Sequence, residues 1–244
     1  MKGINGQPWI DLDPHVDLAG LEAIRYRIYG GLAKSRPMVS RYFESTTEFM
    51  DPDDLDKLIA YVGKPLHPLY PKHLEIEAMD DAAECKQVYR SLEPEQQRIF
   101  LKLMGASQPF YTLALCTQDQ WKPAADNFPE LRTWTRSLPF VNINTVVFYM
   151  IEGLNPTVIH RDKFLSDDQT HGSEFIWFRI TPGKDFFVYD HNNFVKHRVT
   201  STSCFFNERD FHGASPTNSM SVSMKIWGNF TQELRDSLQL MGIY

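Results

Sequence analysis

The segment Thr157-Val158-Ile159-His160-Arg161-Asp162 lies near the start of the strand-rich half of the chain, and the rest of the fold is predicted outward from it. In an extended strand, successive side chains alternate between the two faces, so His160 and Asp162 point to the same side. The segment Asp210-Phe211-His212-Gly213 contributes a further histidine. Several strand-like runs lie between the two segments and can fold back on one another. The sequence therefore predicts that His160, Asp162 and His212 meet in one place.

Strand-like runs rich in β-branched and aromatic residues follow one another from about Val141 onward. They cover 144–150, 157–162, 174–181, 185–189, 194–200, 203–206 and 220–227. Turn signals such as Pro182-Gly183 and His191-Asn192-Asn193 separate them. Many short strands without intervening helices predict an antiparallel sandwich or barrel.

The chain before residue 141 has a different, mainly helical pattern. Apolar residues recur at helical spacing within 17–35, and similar signals occur at 51–63, at about 80–104 and at 127–136. The stretch 231–241 returns to a helical pattern through Leu234 and Leu238. The predicted fold class is therefore α+β. We expect a mainly helical region at 1–140 that packs on a strand core at 141–230, followed by a C-terminal helix at 231–244, within one integrated domain.

The composition is that of an ordinary globular protein. Of the 244 residues, 42% are hydrophobic and 23% are charged, and the formal net charge is −6. A negative net charge disfavours binding to nucleic acid, whose phosphates attract basic surfaces. The cysteines form no closely spaced pair, and no apolar run is long enough to cross a membrane. We therefore expect a cytoplasmic protein with no disulfide framework, no nucleic-acid partner and no membrane association.

The residue types at the predicted meeting point are those of a metal site. Two histidines and one carboxylate on one face of a metal ion, with the opposite positions open, form the ligand set of non-haem Fe(II) oxygenases. Zn(II) can take the same ligands and activate water, but the sequence has no HExxH motif to supply a general base, which disfavours a hydrolytic site. The alternative is a site without metal, in which the histidines are hydrogen-bonded to carbonyl groups at the surface or in the core.

The order of these residues resembles that of the Fe(II)/2-oxoglutarate-dependent dioxygenases. The family pattern is a strand ending in His-x-Asp, here His160-Arg161-Asp162, then a long antiparallel stretch, then a histidine, here His212, and a basic residue in a final strand. The runs 175–179 and 205–213 are similar in residue pattern to the aspartyl/asparaginyl β-hydroxylase and amino-acid hydroxylase branches. The resemblance covers residues 141 to 230, and only the triad is specific. It implies a double-stranded β-helix, or jelly-roll (cupin), core in which His160, Asp162 and His212 hold Fe(II).

The same resemblance implies an enzyme, a 2-oxoglutarate-dependent hydroxylase that uses O2, releases succinate and CO2, and takes ascorbate as an accessory reductant. The implied reaction hydroxylates or otherwise oxidises an unactivated C–H bond of a small polar substrate, such as an amino acid or a derivative of one. Two alternatives stay open: a hydroxylase of peptide or protein side chains, and a cupin-like binding domain without turnover. The C-terminal stretch 231–244 is also a candidate for a homodimer contact.

Members of this family need a cation for the far carboxylate of 2-oxoglutarate. Lys225, in the run 220–227 after His212, is the first candidate. Most members use arginine, often with serine two residues later, whereas Lys225 is followed by Trp227, and a lysine offers a point charge instead of a bidentate fork. Arg179 is the rival, because an unpaired guanidinium in an apolar strand is costly to bury. On the other interpretation, each of these two side chains lies on an outward strand face in water.

Two more side chains bear on the predicted co-substrate site. Tyr149 lies on the strand before His160, where several relatives place a hydroxyl that donates to the 2-oxoglutarate carboxylate. The alternative is a tyrosine packed in the core with a hydrogen-bond partner of its own. Lys184 follows Pro182-Gly183 in a predicted turn, and we expect it to be exposed.

Overall fold

The computed structural model describes residues 3–40, 91, 93, 110–151, 157–160, 174–189, 196–208, 210, 212–214 and 219–240. Helices form in these parts of the chain at α1 (Leu18–Lys34), α2 (Pro129–Trp134) and α3 (Gln232–Ser237), with 3-10 turns at Asp13–His15, Pro123–Asn127 and Thr135–Ser137. Among the described residues, no helix combines the length and the apolar character needed to cross a membrane. The strands are β1 (Trp9–Asp11), β2 (Met38–Ser40), β3 (Phe110–Thr117), β4 (Gln120–Trp121), β5 (Phe140–Ile151), β6 (Thr157–His160), β7 (Phe175–Arg179), β8 (Phe186–Tyr189), β9 (Lys196–Arg198), β10 (Ser203–Phe206), β11 (His212–Ala214) and β12 (Ser221–Phe230).

The described strands form two antiparallel sheets. The larger sheet has the order β1-β10-β7-β12-β5-β3-β2, with β4 paired to β3, and the smaller sheet has the order β6-β11-β8-β9. The long strand β12 pairs with β5 on one side and with β7 on the other, so it lies in the middle of the larger sheet. Residues on β12 therefore have neighbours on both sides, which fixes the face to which each of them belongs.

The connectivity of β5 to β12 is that of a jelly roll. Along the chain, β5, β7, β10 and β12 lie in the larger sheet, and β6, β8, β9 and β11 make up the smaller sheet. Eight strands shared between two sheets in this alternation form the two Greek keys of a jelly roll. The predicted α+β fold with a double-stranded β-helix core is therefore confirmed. The core begins at Phe140 and ends at Phe230.

The region before residue 141 contributes strands as well as helices. α1 and α2 lie in segments predicted to be helical, but β1, β2 and β3 extend the larger sheet at its two ends. β3 pairs with β5 because its aromatic and β-branched residues, such as Phe110, Tyr111 and Thr112, suit a pleated surface. The helices predicted at 51–63 and 80–104 lie outside the described residues, apart from Ser91 and Glu93. The division into regions at 1–140, 141–230 and 231–244 stays a prediction.

Both faces of the larger sheet are covered. The helices pack on one face, where the Trp134 ring meets the Phe178 ring edge-on with centroids 5.3 Å apart, and Trp134 Nε1 donates to the Asp17 carbonyl at 2.9 Å. The smaller sheet packs on the other face, where Trp177 stacks on Phe186 with centroids 4.2 Å apart. Burial of each such aromatic side chain contributes about 1.5–3 kcal/mol. We call the face toward the smaller sheet, marked by Trp177, the inner face.

Candidate functional site

The two predicted histidine ligands lie opposite each other in the smaller sheet. β6 and β11 pair in antiparallel fashion, and the register aligns His160 with His212. Directly opposed residues in such a pair have Cα atoms about 4.5–5.5 Å apart. The register shifts between His212 and Ala214, and a bulge of this kind can re-aim a side chain at a functional site. The backbone thus brings together two members of the predicted triad.

The third predicted ligand, Asp162, lies outside the described residues. For His160, the structure describes the backbone but not the side chain. Accordingly, the described residues contain no group of three metal-ligating side chains. The assignment of His160, Asp162 and His212 as a triad stays a prediction.

The His212 side chain has the hydrogen bonding of a metal ligand. It is 5% exposed and lies beside the rings of Phe206 and Phe186, with centroid distances of 4.7 and 6.0 Å. Its Nδ1 is 2.9 Å from the Asp210 carbonyl oxygen. Because a carbonyl can only accept, Nδ1 carries the hydrogen, and in the neutral ring Nε2 then carries the lone pair. Ligating histidines usually donate their other ring N–H to a carbonyl or carboxylate, so the chemistry of His212 fits a bound metal.

The predicted co-substrate residues share the inner face of the larger sheet. In register, Ser223 on β12 lies between Arg179 on β7 and Tyr149 on β5. Lys225 is paired with Trp177 in the same way, and Trp177 marks the inner face. Residues two apart on a strand point to the same side. The register therefore places Arg179, Tyr149 and Lys225 on the face that the smaller sheet covers.

The ammonium group of Lys225 is matched by a carboxylate of the protein. Lys225 Nζ forms a buried ion pair with Glu208, and Trp227 Nε1 donates to the same Glu208 oxygen at 3.1 Å. Nζ also lies 4.0 Å from the centroid of the Phe175 ring. Sequence reasoning did not identify Glu208. The signal was its position two residues after the apolar pair Phe205-Phe206, because residues close to a buried strand can also be buried.

The guanidinium of Arg179 is engaged with the backbone. It donates to the carbonyls of Val199 and Thr200, the latter at 3.3 Å. Burial lowers the pKa of Arg179. Arg179 therefore does not lie on an outward face in water, as one interpretation held. Part of its hydrogen-bonding capacity is already used by backbone carbonyls.

Lys184 is a buried cation that the sequence prediction placed at the surface. It is 4% exposed, and its Nζ is 3.4 Å from the Ser223 hydroxyl. Burial, and next the charge of Arg179, lower the pKa of Lys184 to about 8. Among the described residues, no carboxylate forms an ion pair with it. The expectation of exposure was wrong because Gly183, with φ at +80°, turns the chain so that Lys184 shares the inner side with Phe186.

Comparison with known proteins gives distant structural similarity only. No family model and no curated protein matches this sequence. A prolyl-4-hydroxylase of Pseudomonas putida is similar at 14% sequence identity and a TM-score of 0.35, over 86% of this chain and 98% of that chain. A prolyl hydroxylase from Trichoplax adhaerens, in complex with a hypoxia inducible factor oxygen degradation domain peptide fragment, is similar at 11% identity and a TM-score of 0.36, over 91% and 94%. A cupin domain from Bordetella pertussis is similar at 14% identity and a TM-score of 0.24, over 34% and 78%. Similarity at this distance does not say what this chain binds or converts.

Proposed function

We propose that this chain is an Fe(II)- and 2-oxoglutarate-dependent dioxygenase that hydroxylates, or otherwise oxidises, a C–H bond of a small polar substrate such as an amino acid or a derivative of one. The observation that carries this function is the register that pairs His160 with His212 in the smaller sheet of a jelly roll. The hydrogen bond from His212 Nδ1 to the Asp210 carbonyl supports it, because it directs Nε2 toward a ligand role.

His160, Asp162 and His212 would hold the metal, and a set of two imidazoles and one carboxylate keeps positions open for 2-oxoglutarate and O2. When bound, Fe(II) with 2-oxoglutarate supplies oxidation of a C–H bond coupled to decarboxylation of the keto acid to succinate. The protein contributes an apolar wall, since Phe186 and Phe206 lie against the His212 ring and keep water from that side.

We assign the far carboxylate of 2-oxoglutarate to Lys184, with the Ser223 hydroxyl beside it. No carboxylate in the described part of the chain pairs with Lys184, and a buried ammonium in that situation is costly, so an anionic ligand there would remove this cost. Tyr149 lies next to Ser223 in the sheet register and is suited to donate a hydrogen bond to the same carboxylate. Lys225, the first candidate from the sequence, is disfavoured by its ion pair with Glu208.

Metal binding tests the triad directly. We expect His212→Ala and Asp162→Ala each to weaken binding of Mn(II), used as a stable stand-in for Fe(II), by about 100-fold or more, because each removes a direct ligand. Isothermal titration with Mn(II) measures this. His15→Ala is the matched control, since His15 is an exposed histidine in the 3-10 turn Asp13–His15. A folded His212→Ala protein that binds Mn(II) as tightly as the unaltered protein would refute the triad.

Turnover separates the three candidate functions. Succinate release coupled to a product heavier by one oxygen atom, from a panel of amino acids and their derivatives, supports the small-molecule hydroxylase. The same coupling with peptides alone supports a side-chain hydroxylase. Metal-independent ligand binding without succinate supports the cupin-like binding domain. The cytoplasmic location, the use of ascorbate and the homodimer stay predictions.

A further inference from the structure

Lys225 on β12 and Glu208, in the turn between β10 and β11, form an ion pair that is removed from solvent on both sides. The two side chains are 5% and 8% exposed. Trp227 Nε1 donates to the Glu208 oxygen at 3.1 Å, and the Lys225 ammonium lies 4.8 Å from the Trp227 ring centroid. An ammonium close to an aromatic ring gains further attraction in a desolvated site. Lys225, Glu208 and Trp227 therefore hold one another in a single arrangement.

The turn that carries Glu208 also carries the hydrogen-bond partner of His212. The Asp210 N–H donates to the Asn207 carbonyl at 2.9 Å, which closes the turn around Glu208. The Asp210 carbonyl then accepts from His212 Nδ1 at 2.9 Å. The position of Glu208 thus helps to set the position of the carbonyl that fixes the His212 imidazole.

We propose that the Glu208–Lys225 pair is a positioning device for His212. The pair connects the turn before β11 to β12, and thus the smaller sheet to the larger one. This connection holds the Asp210 carbonyl in the position where it accepts from Nδ1–H of the imidazole. Removing one partner breaks this buried ion pair and so releases the turn from β12. Lys225 then acts through Glu208 and does not bind the co-substrate. This inference rests on the metal role proposed for His212.

The first test is the state of the His212 ring without metal. Nitrogen NMR of the imidazole, at a pH where the ring is neutral, distinguishes hydrogen on Nδ1 from hydrogen on Nε2. We expect the unaltered protein to show the Nδ1–H form and Glu208→Gln to show a mixture of both. The same Nδ1–H spectrum in the folded Glu208→Gln protein would overturn the inference.

The second test separates metal affinity from co-substrate affinity. We expect Glu208→Gln and Lys225→Met to weaken Mn(II) binding by about 10- to 100-fold, the range typical of residues that orient a metal ligand. At saturating metal, the KM for 2-oxoglutarate should change less than about two-fold, because no co-substrate contact is lost. Lys196→Met is the matched control, since Lys196 also lies over an aromatic ring, that of Phe187, at 3.9 Å, but is exposed on β9.

A double variant keeps the inference falsifiable if a single substitution unfolds the protein. The double variant Glu208→Gln/Lys225→Met removes both charges, so it should fold while retaining the weakened Mn(II) affinity and the mixed His212 spectrum. Normal affinity and an Nδ1–H spectrum in that double variant would overturn the positioning role. A large rise in the 2-oxoglutarate KM of Lys225→Met with unchanged Mn(II) affinity would instead assign Lys225 to the co-substrate. If the unaltered protein binds no Mn(II), the proposed function itself fails, and the NMR result then shows separately whether Glu208 orients His212.

Discussion

A single buried ammonium group, that of Lys184, bears most directly on the proposed binding of 2-oxoglutarate. It has Ser223 as its hydrogen-bond partner, and Arg179 is close enough to lower its pKa. Two cations on one inner face create a local positive potential that attracts a dicarboxylate. Neither cation belongs to the proposed metal ligands, so their role can be tested separately from metal binding.

Replacing Lys184 should therefore weaken co-substrate binding and spare the metal. We expect Lys184→Met to raise the KM for 2-oxoglutarate about 30-fold or more, equivalent to about 2 kcal/mol for a lost buried charge pair. Methionine keeps the length of the side chain and removes its charge. Steady-state succinate release measures the KM, and Mn(II) titration measures the metal. A KM no higher than that of the Lys196→Met control would return the assignment to Lys225 or Arg179.

The pH dependence of 2-oxoglutarate binding follows from the pKa of Lys184. Because that pKa is about 8, the ammonium is lost as the pH rises through this value, and affinity should fall up to tenfold for each further pH unit. The free energy of unfolding changes in the opposite direction. Between about pH 8 and pH 10.5, Lys184 keeps its proton in the unfolded chain but has lost it in the native protein. Its contribution to stability therefore rises with pH in this window. Binding curves at pH values on both sides of 8 measure the effect. Lys184→Arg should abolish it, since arginine stays charged throughout.

The residues of the site were only partly predictable from the sequence. Alternation along a strand was sufficient to group Arg179 with Trp177, and the two do share the inner face. For Lys184, the Pro182-Gly183 signal predicted the turn correctly but not the direction in which the chain leaves it. For Lys225, nothing in the sequence indicates that Glu208 is its partner, because that contact depends on how a turn in one sheet meets a strand of the other.

At the scale of elements, the C-terminal helix α3 is tied to the larger sheet by Glu174, which directly precedes β7. The Glu174 carboxylate accepts from Arg235 Nε at 2.7 Å and Nη2 at 2.9 Å, and from the Phe230 N–H. A carboxylate that receives both arms of a guanidinium is held in one orientation. Glu174 thus joins the start of β7, the end of β12 and α3.

Weakening the contacts of Glu174 with Arg235 and Phe230 should destabilise the whole domain. We expect Glu174→Gln to lower the free energy of unfolding by about 2–3 kcal/mol, because the partly buried ion pair loses its negative charge while Arg235 keeps its positive one. Urea denaturation measures the change. Glu233→Gln, on the exposed side of α3, should cost about 0.5 kcal/mol or less. Equal effects of the two substitutions would show that Glu174 does not join these elements.

The strands were predicted where the sequence pattern and the tertiary environment agree. The runs 175–178 in β7 and 204–206 in β10 are continuous in apolar residues because they are buried on both faces of a covered sheet. β3 was missed because Leu113, Ala114 and Leu115 have good helix propensity, and only pairing with β5 makes that segment a strand. The register that aligns His160 with His212 was also beyond prediction, since it depends on the turns and not on the residues themselves.

Across the whole molecule, charged groups are buried between two sheets that otherwise meet through aromatic rings. Lys184 and the Glu208–Lys225 pair occupy an interior in which Trp177 stacks on Phe186, and Arg179 is half-buried. Burying polar and charged groups costs stability unless each finds a partner. Glu208 and Lys225 are already partners of each other, whereas the anion proposed for Lys184 arrives with the ligand. We therefore expect the ligand-free state to be the less stable one.

Ligands should therefore stabilise the fold in two separable steps. At about 100 times its dissociation constant, a ligand adds about 2.7 kcal/mol, which for a domain of this size raises the Tm by about 5–10 °C. We expect Mn(II) alone to give one such rise and 2-oxoglutarate, added to the Mn(II) form, to give a second, both measured by differential scanning calorimetry. Lys184→Met should keep the first and lose most of the second, because the fold and the metal ligands are intact while the anion has lost its cation. His212→Ala should lose both rises in Tm. Without bound metal, the keto acid has no metal ion in the protein to chelate. A second rise of full size in Lys184→Met would show that the far carboxylate is bound elsewhere on the inner face.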